Sequence, residues 1–167
     1  MRQIYYYNNL KRNLIGIMSN LKLNSIFKYV CIASDHAGFN LKEDIKNHLV
    51  DKKVSIFDLG PFSEKSVDYP DYAKKLGNRI KLKKSDVGIL VCGSGTGMAI
   101  SANKIKKIRA AVCYNLRSTR LSRQHNNANI IALGSRLIKK KLSLKLVEVF
   151  LKTKFEGGRH LRRVKKI

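Results

Sequence analysis

The stretch ILVCGSGTGMAISANK, residues 89–104, decides how this chain folds. An apolar run ends in Cys92, then Gly93, Gly95 and Gly97 alternate with Ser94 and Thr96, and a helix-like segment follows. A continuous apolar run without alternation reads as a strand buried on both faces, as in a parallel sheet. A glycine turn opening into a helix presents backbone N–H groups, which attract anions or developing negative charge. At the mouth of that turn stands a thiol.

The same rhythm continues on both sides. Strands are expected over 29–34 (YVCIAS), 54–60 (VSIFDLG), 86–92 (DVGILVC), 109–114 (RAAVCY) and 129–134 (NIIALG). Between and after them lie helical patterns at 38–50, 70–81, about 97–104, 116–125 and 138–153. In the first helix Phe39, Leu41, Ile45 and Leu49 are expected inward; in the second, Ala73, Leu76 and Ile80, behind a proline at the first turn. Strict β–α alternation with apolar strands predicts an α/β fold: one Rossmann-like three-layer domain, its central parallel β-sheet covered by helices on both faces. Ligands of such folds gather at the C-terminal ends of the strands. The loops there are SDHAGF, DLGPFSEKSVDYP, CGSGTG and YNLRSTR.

The 167 residues suit one domain with a sizeable core. No apolar stretch approaches the roughly 18–20 residues of a membrane span, which argues against a membrane protein. Lys and Arg number 35 against 11 acidic residues, a formal charge of +24. Such a charge suits nucleic acid, an anionic surface or small anionic substrates. The lysines are scattered, however, and no RNA-binding signature accompanies them, so a solvated basic surface is expected and no specific nucleic-acid partner. Cys31, Cys92 and Cys113 are an odd count without CxxC spacing, which favours free thiols in a reducing compartment, hence the cytoplasm. Cys31 and Cys113 read as small core residues.

Residues 1–28 contain no Asp or Glu and end where YVCIAS begins. They read as a basic N-terminal extension to a domain spanning 29–167: a presequence, an irregular segment, or sequence ahead of a start at Met18.

The glycine loop is neither of two familiar phosphate cradles. Its spacing is GxGxG rather than GxGxxG, and no Asp or Glu occurs between Asp86 and Glu148 to hold a ribose. No Gly-Lys-Ser/Thr follows either. A thiol at a strand end, beside a helix start and the Ser94 hydroxyl, is in surroundings that make thiolate available, as nucleophile or as proton acceptor. Acyl chemistry would want a histidine oriented on that thiol. N–H groups facing the reacting atoms suit an enediolate instead. Other polar residues stand at loop positions: Asp35 and His36 after the first strand, Asp68 and Tyr69 before a helix, His125 and Asn126 at a helix end. Arg136, Arg159, His160 and Arg163 form a basic set, with Arg159 and Arg163 four apart, on one helix face and able to fork a phosphate.

Six ordered motifs, ASDHAGFNLK (33–42), DYPDYA (68–73), CGSGTGMAISANK (92–104), RAAVCYN (109–115), LSRQHNNANIIALGSR (121–136) and FEGGRHLRRV (155–164), make the chain resemble the ribose-5-phosphate isomerase B family, in the wider group with the lactose-pathway sugar-phosphate isomerases. The resemblance runs from about residue 29 to the end. It implies an aldose–ketose isomerase interconverting ribose 5-phosphate and ribulose 5-phosphate, in the non-oxidative pentose phosphate pathway. Carried over, Cys92 is the base, moving a proton between C1 and C2 through a cis-enediolate, and Ser94 assists it. The N–H groups from Gly93 through Gly95, Thr96 and Gly97 hold the enediolate oxygens. His125 opens the furanose ring. Asp35 and His36 contact the sugar, Asn126 its hydroxyls or the enediolate, and Tyr69 lines the pocket; Arg136, Arg159 and Arg163 bind the phosphate. One branch of the family has a glutamate base at the position of Met98, so the cysteine branch fits. The resemblance also implies a homodimer or homotetramer with sites between subunits, and no metal or other cofactor. Six-carbon sugar phosphates such as allose or galactose 6-phosphate remain alternative substrates, and a nucleic-acid-binding module without catalysis is a rival of another class.

Overall fold

The computed structural model describes residues 22–167. Residues 1–21 of the N-terminal extension lie outside the described residues. Five strands, β1 (Val30–Ser34), β2 (Ile56–Asp58), β3 (Val87–Cys92), β4 (Ala110–Val112) and β5 (Ile130–Gly134), form one parallel sheet in the order β2-β1-β3-β5-β4. Six helices accompany them: α1 (Phe39–Asp51), α2 (Tyr69–Lys81), α3 (Thr96–Asn103), α4 (Leu116–Asn126), α5 (Lys140–Lys152) and α6 (Gly158–Val164).

Alternation along each strand sends successive side chains to opposite faces, and the core divides accordingly. Val30, Ile32, Ile89, Val91, Ile131 and Leu133 meet Ile45 and Leu49 of α1 and Leu146, Val147 and Phe150 of α5. Cys31, Ala33, Leu90, Cys92, Ile130 and Ala132 face Ala73, Leu76 and Ile80 of α2 and Met98 and Ala102 of α3. Each fully buried aliphatic or aromatic side chain contributes about 1.5–3 kcal/mol, so the two-faced core explains why β1, β3 and β5 carry no polar alternation. The edge strands β2 and β4 are only three residues long and half-buried, which leaves the expected strands at 54–60 and 109–114 shorter than their apolar runs.

One inward expectation for α1 changes, and one residue not expected inward joins the core. Phe39 is only half-buried at the helix start, while Lys42, a residue that solvent normally keeps, is fully buried. Its ammonium lies 2.7 Å from Glu43 and 2.7 Å from Asp58, and faces the rings of Phe39 and Phe62 at 5.3 and 5.6 Å. Burial pushes the Asp58 carboxyl up, but hydrogen bonds from Lys42, the Gly60 N–H and Lys46 outweigh it and hold the group below its ordinary value.

The described end of the N-terminal extension packs on the domain. Leu23 is buried in the core and its N–H donates to Lys52 O; the Ile26 N–H donates to Leu151 O; Phe27 lies under the Arg123 guanidinium at 4.8 Å. Among the described residues no helix is long and apolar enough to cross a membrane.

The strand order reverses between β1 and β3, since the chain leaves β1 to one side for β2 and returns on the other for β3. A crevice opens at such a switch point, at the strands' C-terminal ends. Those ends carry Asp35 and Cys92.

Candidate active site

Register fixes the floor of this crevice. Val91 is opposite both Ser34 and Leu133, and Cys92 is opposite Gly134. The Asp35 N–H donates to Val91 O at 3.1 Å and its Oδ1 accepts the Gly38 N–H at 2.8 Å, so the carboxylate is locked by the turn into α1. From the far side, Ser135 donates through N–H and Oγ to Cys92 O at 2.8 and 3.2 Å, and the Arg136 N–H donates to Gly93 O at 3.1 Å. These bonds clamp the loop after β5 onto the glycine loop and bring Arg136 alongside Gly93.

Gly95 turns the chain into α3 at φ +79, in the left-handed region that glycine adopts without strain. That conformation aims its N–H at the Cys92 Sγ, 3.1 Å away. The Thr96 N–H lies 3.3 Å from Ser94 Oγ. The first helical bond closed is from the Ala99 N–H to Gly95 O, which leaves the Gly97 N–H open at the helix start. Gly97 has no side chain because the Tyr69 ring lies where one would be: a Cβ there would sit 2.9 Å from the ring.

The result is a cavity of about 310 Å³ lined by Asp35, His36, Ala37, Tyr69, Cys92, Gly93, Ser94, Gly97 and Arg136. That is the low end of small-ligand pockets, about 300–1,000 Å³. It sets a thiol under an N–H donor, a carboxylate, an imidazole and a guanidinium around one small volume. A hollow of similar size, about 330 Å³, is lined by Val67, Asp68, Asp71, Tyr72 and Lys75, but holds neither thiol nor imidazole. The other two thiols, Cys31 and Cys113, lie outside this cavity. Burial pushes Cys31 up to about 12 and raises Cys113 as well, so both stay protonated core groups.

Not every candidate residue joins this cavity. His125 and Asn126 form the last turn of α4, which runs back to the N-terminal edge of the sheet, where the Gly88 N–H donates to Asn129 O. Cys92 lies at the opposite edge, four residues along β3, or about 13 Å of strand rise. The segment after α5 follows α4: Arg123 Nε donates to Thr153 O and the Glu156 N–H to Gln124 O. Arg159 and Arg163 on α6 therefore group with His125, as an exposed basic face. The His125 ring stacks on His160, centroids 4.2 Å apart and planes 7° apart, and Glu156 Oε2 lies 3.7 and 3.8 Å from their Nε2 atoms. Desolvation, then the charges of His125 and Arg159, hold His160 below its ordinary value, with Glu156 acting the other way.

Several contributors carried no signal in the sequence. Ser135 is one serine in a loop, and the His125–Glu156–His160 group spans 36 residues without ligand-like spacing; it forms only because α6 folds back on α4.

A parallel α/β sheet with a thiol and a glycine-rich helix start at its switch point places a small-ligand site in that crevice. The sequence model of the Ribose/Galactose Isomerase family matches residues 30–167, and the chain belongs to that family. The Escherichia coli (strain K12) protein named ribose-5-phosphate isomerase B is 43% identical over 140 residues, covering 84% of this chain and 94% of that one. A crystal structure of a Thermotoga maritima ribose 5-phosphate isomerase is 52% identical with a TM-score of 0.81, over 83% of this chain and 95% of that one. The Mycoplasma genitalium ribose-5-phosphate isomerase B, solved with bound ribulose-5-phosphate, is 43% identical with a TM-score of 0.79, over 83% and 92%.

Proposed function

We propose that this isomerase interconverts D-ribose 5-phosphate and D-ribulose 5-phosphate, with Cys92 as the base, as a cytoplasmic enzyme of the non-oxidative pentose phosphate pathway. The observation that carries the reading is the Cys92 Sγ accepting the Gly95 N–H at 3.1 Å on the floor of a cavity that also holds Asp35, His36, Tyr69 and Arg136. The names of the Escherichia coli and Mycoplasma genitalium relatives support the substrate.

In this reading His125 protonates the ring oxygen, the anomeric hydroxyl gives its proton to solvent, and the bond from C1 to the ring oxygen breaks to leave the open-chain aldehyde. The Cys92 thiolate takes the C2 proton, the electron pair moves to the carbonyl oxygen, and a cis-enediolate forms. The thiol then delivers to C1 that proton or one exchanged with solvent, while the O2 hydroxyl proton passes to O1 and leaves the ketone at C2. The Gly95 N–H already serves the sulfur, so it stabilises the thiolate. The open N–H groups at Gly97 and Gly93 are left for the enediolate oxygens, and the Thr96 N–H joins them when it leaves the Ser94 Oγ. Ser94 assists the base; Asp35 and His36 hold sugar hydroxyls together with Asn126, and Tyr69 closes the wall. Arg136, Arg159 and Arg163 hold the phosphate, the remote group whose binding positions the reacting carbons.

One chain cannot supply all of these, because Cys92 and His125 lie at opposite edges of the sheet. We therefore assign the working unit to at least two copies. His125, Asn126, Arg159 and Arg163 of one close over the Cys92 cavity of the other. The test is kcat/KM on ribose 5-phosphate against allose and galactose 6-phosphates. Preference for the five-carbon substrate is expected; a preference for either six-carbon sugar overturns the substrate assignment.

A further inference from the structure

His125, Glu156 and His160 come from three separate segments, the end of α4, the strap after α5, and α6. They are the one set of three histidine, cysteine or acidic residues among the described residues whose potential ligand atoms all lie within 4.8 Å of one another. The strap is fixed in place: the Glu156 N–H is bonded to Gln124 O, and the His160 N–H to Gly157 O at 2.9 Å.

The spacing separates two uses of such a group. A carboxylate that held these imidazoles by hydrogen bonds would stand about 2.7–3.2 Å from them. Glu156 Oε2 stands at 3.7 and 3.8 Å from the two Nε2 atoms instead. Around a tetrahedral ion with bonds of about 2.0–2.1 Å, neighbouring ligand atoms are about 3.4 Å apart. The two glutamate-to-histidine separations are therefore a few tenths of an ångström longer than an ion requires, and all three ligand atoms lie within 4.8 Å of one another, so modest ring and carboxylate movement would close them on an ion. The parallel stack must open for both Nε2 lone pairs to meet one ion. His160 is packed, with 10% of its side chain exposed, whereas His125 is 36% exposed and is the ring that turns. Two imidazoles and one carboxylate suit zinc and its neighbours. Magnesium and calcium want oxygen ligands, and the arginines at 159 and 163 disfavour a cation held by charge alone.

We propose that His125, Glu156 and His160 form a binding site for a divalent transition-metal ion of the zinc class, and that filling it inhibits isomerisation by taking the Nε2 of His125. The inhibition rests on the reading of His125 as the ring-opening acid; the binding does not. This ion is an inhibitor and takes no part in the reaction.

The test titrates the full chain with cobalt(II), whose visible d–d bands report four-coordinate binding, and then displaces it with zinc. One saturable equivalent is expected in the wild type and in Cys92→Ala, and loss of the bands in Glu156→Gln and in His160→Asn. Absence of saturable bands in the wild type, or bands unchanged in both variants, overturns the site. In parallel, turnover of ribose 5-phosphate is measured with and without zinc, each protein being compared with itself. The zinc concentration for half-inhibition is expected to rise at least about tenfold in Glu156→Gln, the scale on which loss of a supporting group weakens metal sites. Equal potency on both proteins, or cobalt binding without inhibition by zinc, overturns the inhibitory role. If the wild type turns over no sugar phosphate at all, the proposed function fails, and the cobalt spectra still decide the site.

Discussion

Placing Cys92 and His125 at opposite edges of one sheet makes a cis–trans test unusually clean. In a dimer with shared sites, each site takes Cys92 from one copy and His125 from the other. Pairing a Cys92→Ala chain with a His125→Asn chain makes one site doubly damaged and the other fully intact. Isolated hetero-oligomers, purified through two different tags, should therefore show about half the wild-type activity per dimer. An unsorted equal mixture should show about a quarter, because half of randomly formed dimers are mixed. The control pairs a Cys92→Ala/His125→Asn double variant with a wild-type chain, and here both sites are damaged once and the hetero-oligomer should be inactive. The assay is the appearance of ribulose 5-phosphate at saturating ribose 5-phosphate. A site completed within one chain reverses the two results, with an inactive pair of single variants and a half-active control. That reversal would refute the two-copy reasoning.

Three further perturbations test other parts of the account. Arg159→Ala and Arg163→Ala should each raise KM about ten- to a hundredfold, the value of a lost charge-assisted hydrogen bond, while Lys165→Ala and Lys166→Ala change it little; equal modest effects at all four would reduce the tail to diffuse attraction. Lys42→Met should destabilise the fold by about 1.5–3 kcal/mol in urea unfolding, because it removes the buried charged partner of Asp58 and leaves only Lys46 and the Gly60 N–H to hold the carboxylate. The Asp58 contribution is present above the unfolded pKa of about 3.9 and is lost as pH falls through its lower folded value, so the gap between wild type and variant should narrow in acid; a gap that does not change with pH would contradict the pairing. Gly95→Ala puts a Cβ 3.0 Å from the Leu133 carbonyl carbon at φ +79, and should lower kcat more than it raises KM, since it disturbs the N–H at the sulfur before the phosphate contacts; an unchanged kcat would detach that N–H from the chemistry.

What could be read from the sequence follows from which forces act locally. Runs such as Ile89–Val91 and Ile130–Leu133 are apolar at every position because both sheet faces are covered, so strand and class are visible without any partner. The order β2-β1-β3-β5-β4 is set by which edges meet, and no single segment carries it. Lys42 escaped the periodicity argument because its partners, Asp58 and Phe62, arrive from the β2 end, sixteen or more residues away. The thiol, the glycine loop, Asp35 and His36 were legible as strand-end residues, and the fold brings them to one cavity. His125, Asn126, Arg159 and Arg163 were legible as polar residues too, but spacing along a chain does not say which edge of a sheet a helix end reaches. That follows only from α4 running antiparallel to its strands, and it separates the candidate set into two halves.

The central claim is that Cys92 moves the proton. The most direct measurement is isomerisation of ribose 5-phosphate in deuterated water by wild type and by Cys92→Ala, with urea unfolding to verify that the variant is folded. Loss of a positioned base should slow turnover by about 10²–10⁴-fold and abolish solvent deuterium uptake at C1 of the ribulose 5-phosphate formed. A folded Cys92→Ala protein that turns over within a few-fold of wild type, and still labels C1, would contradict the account.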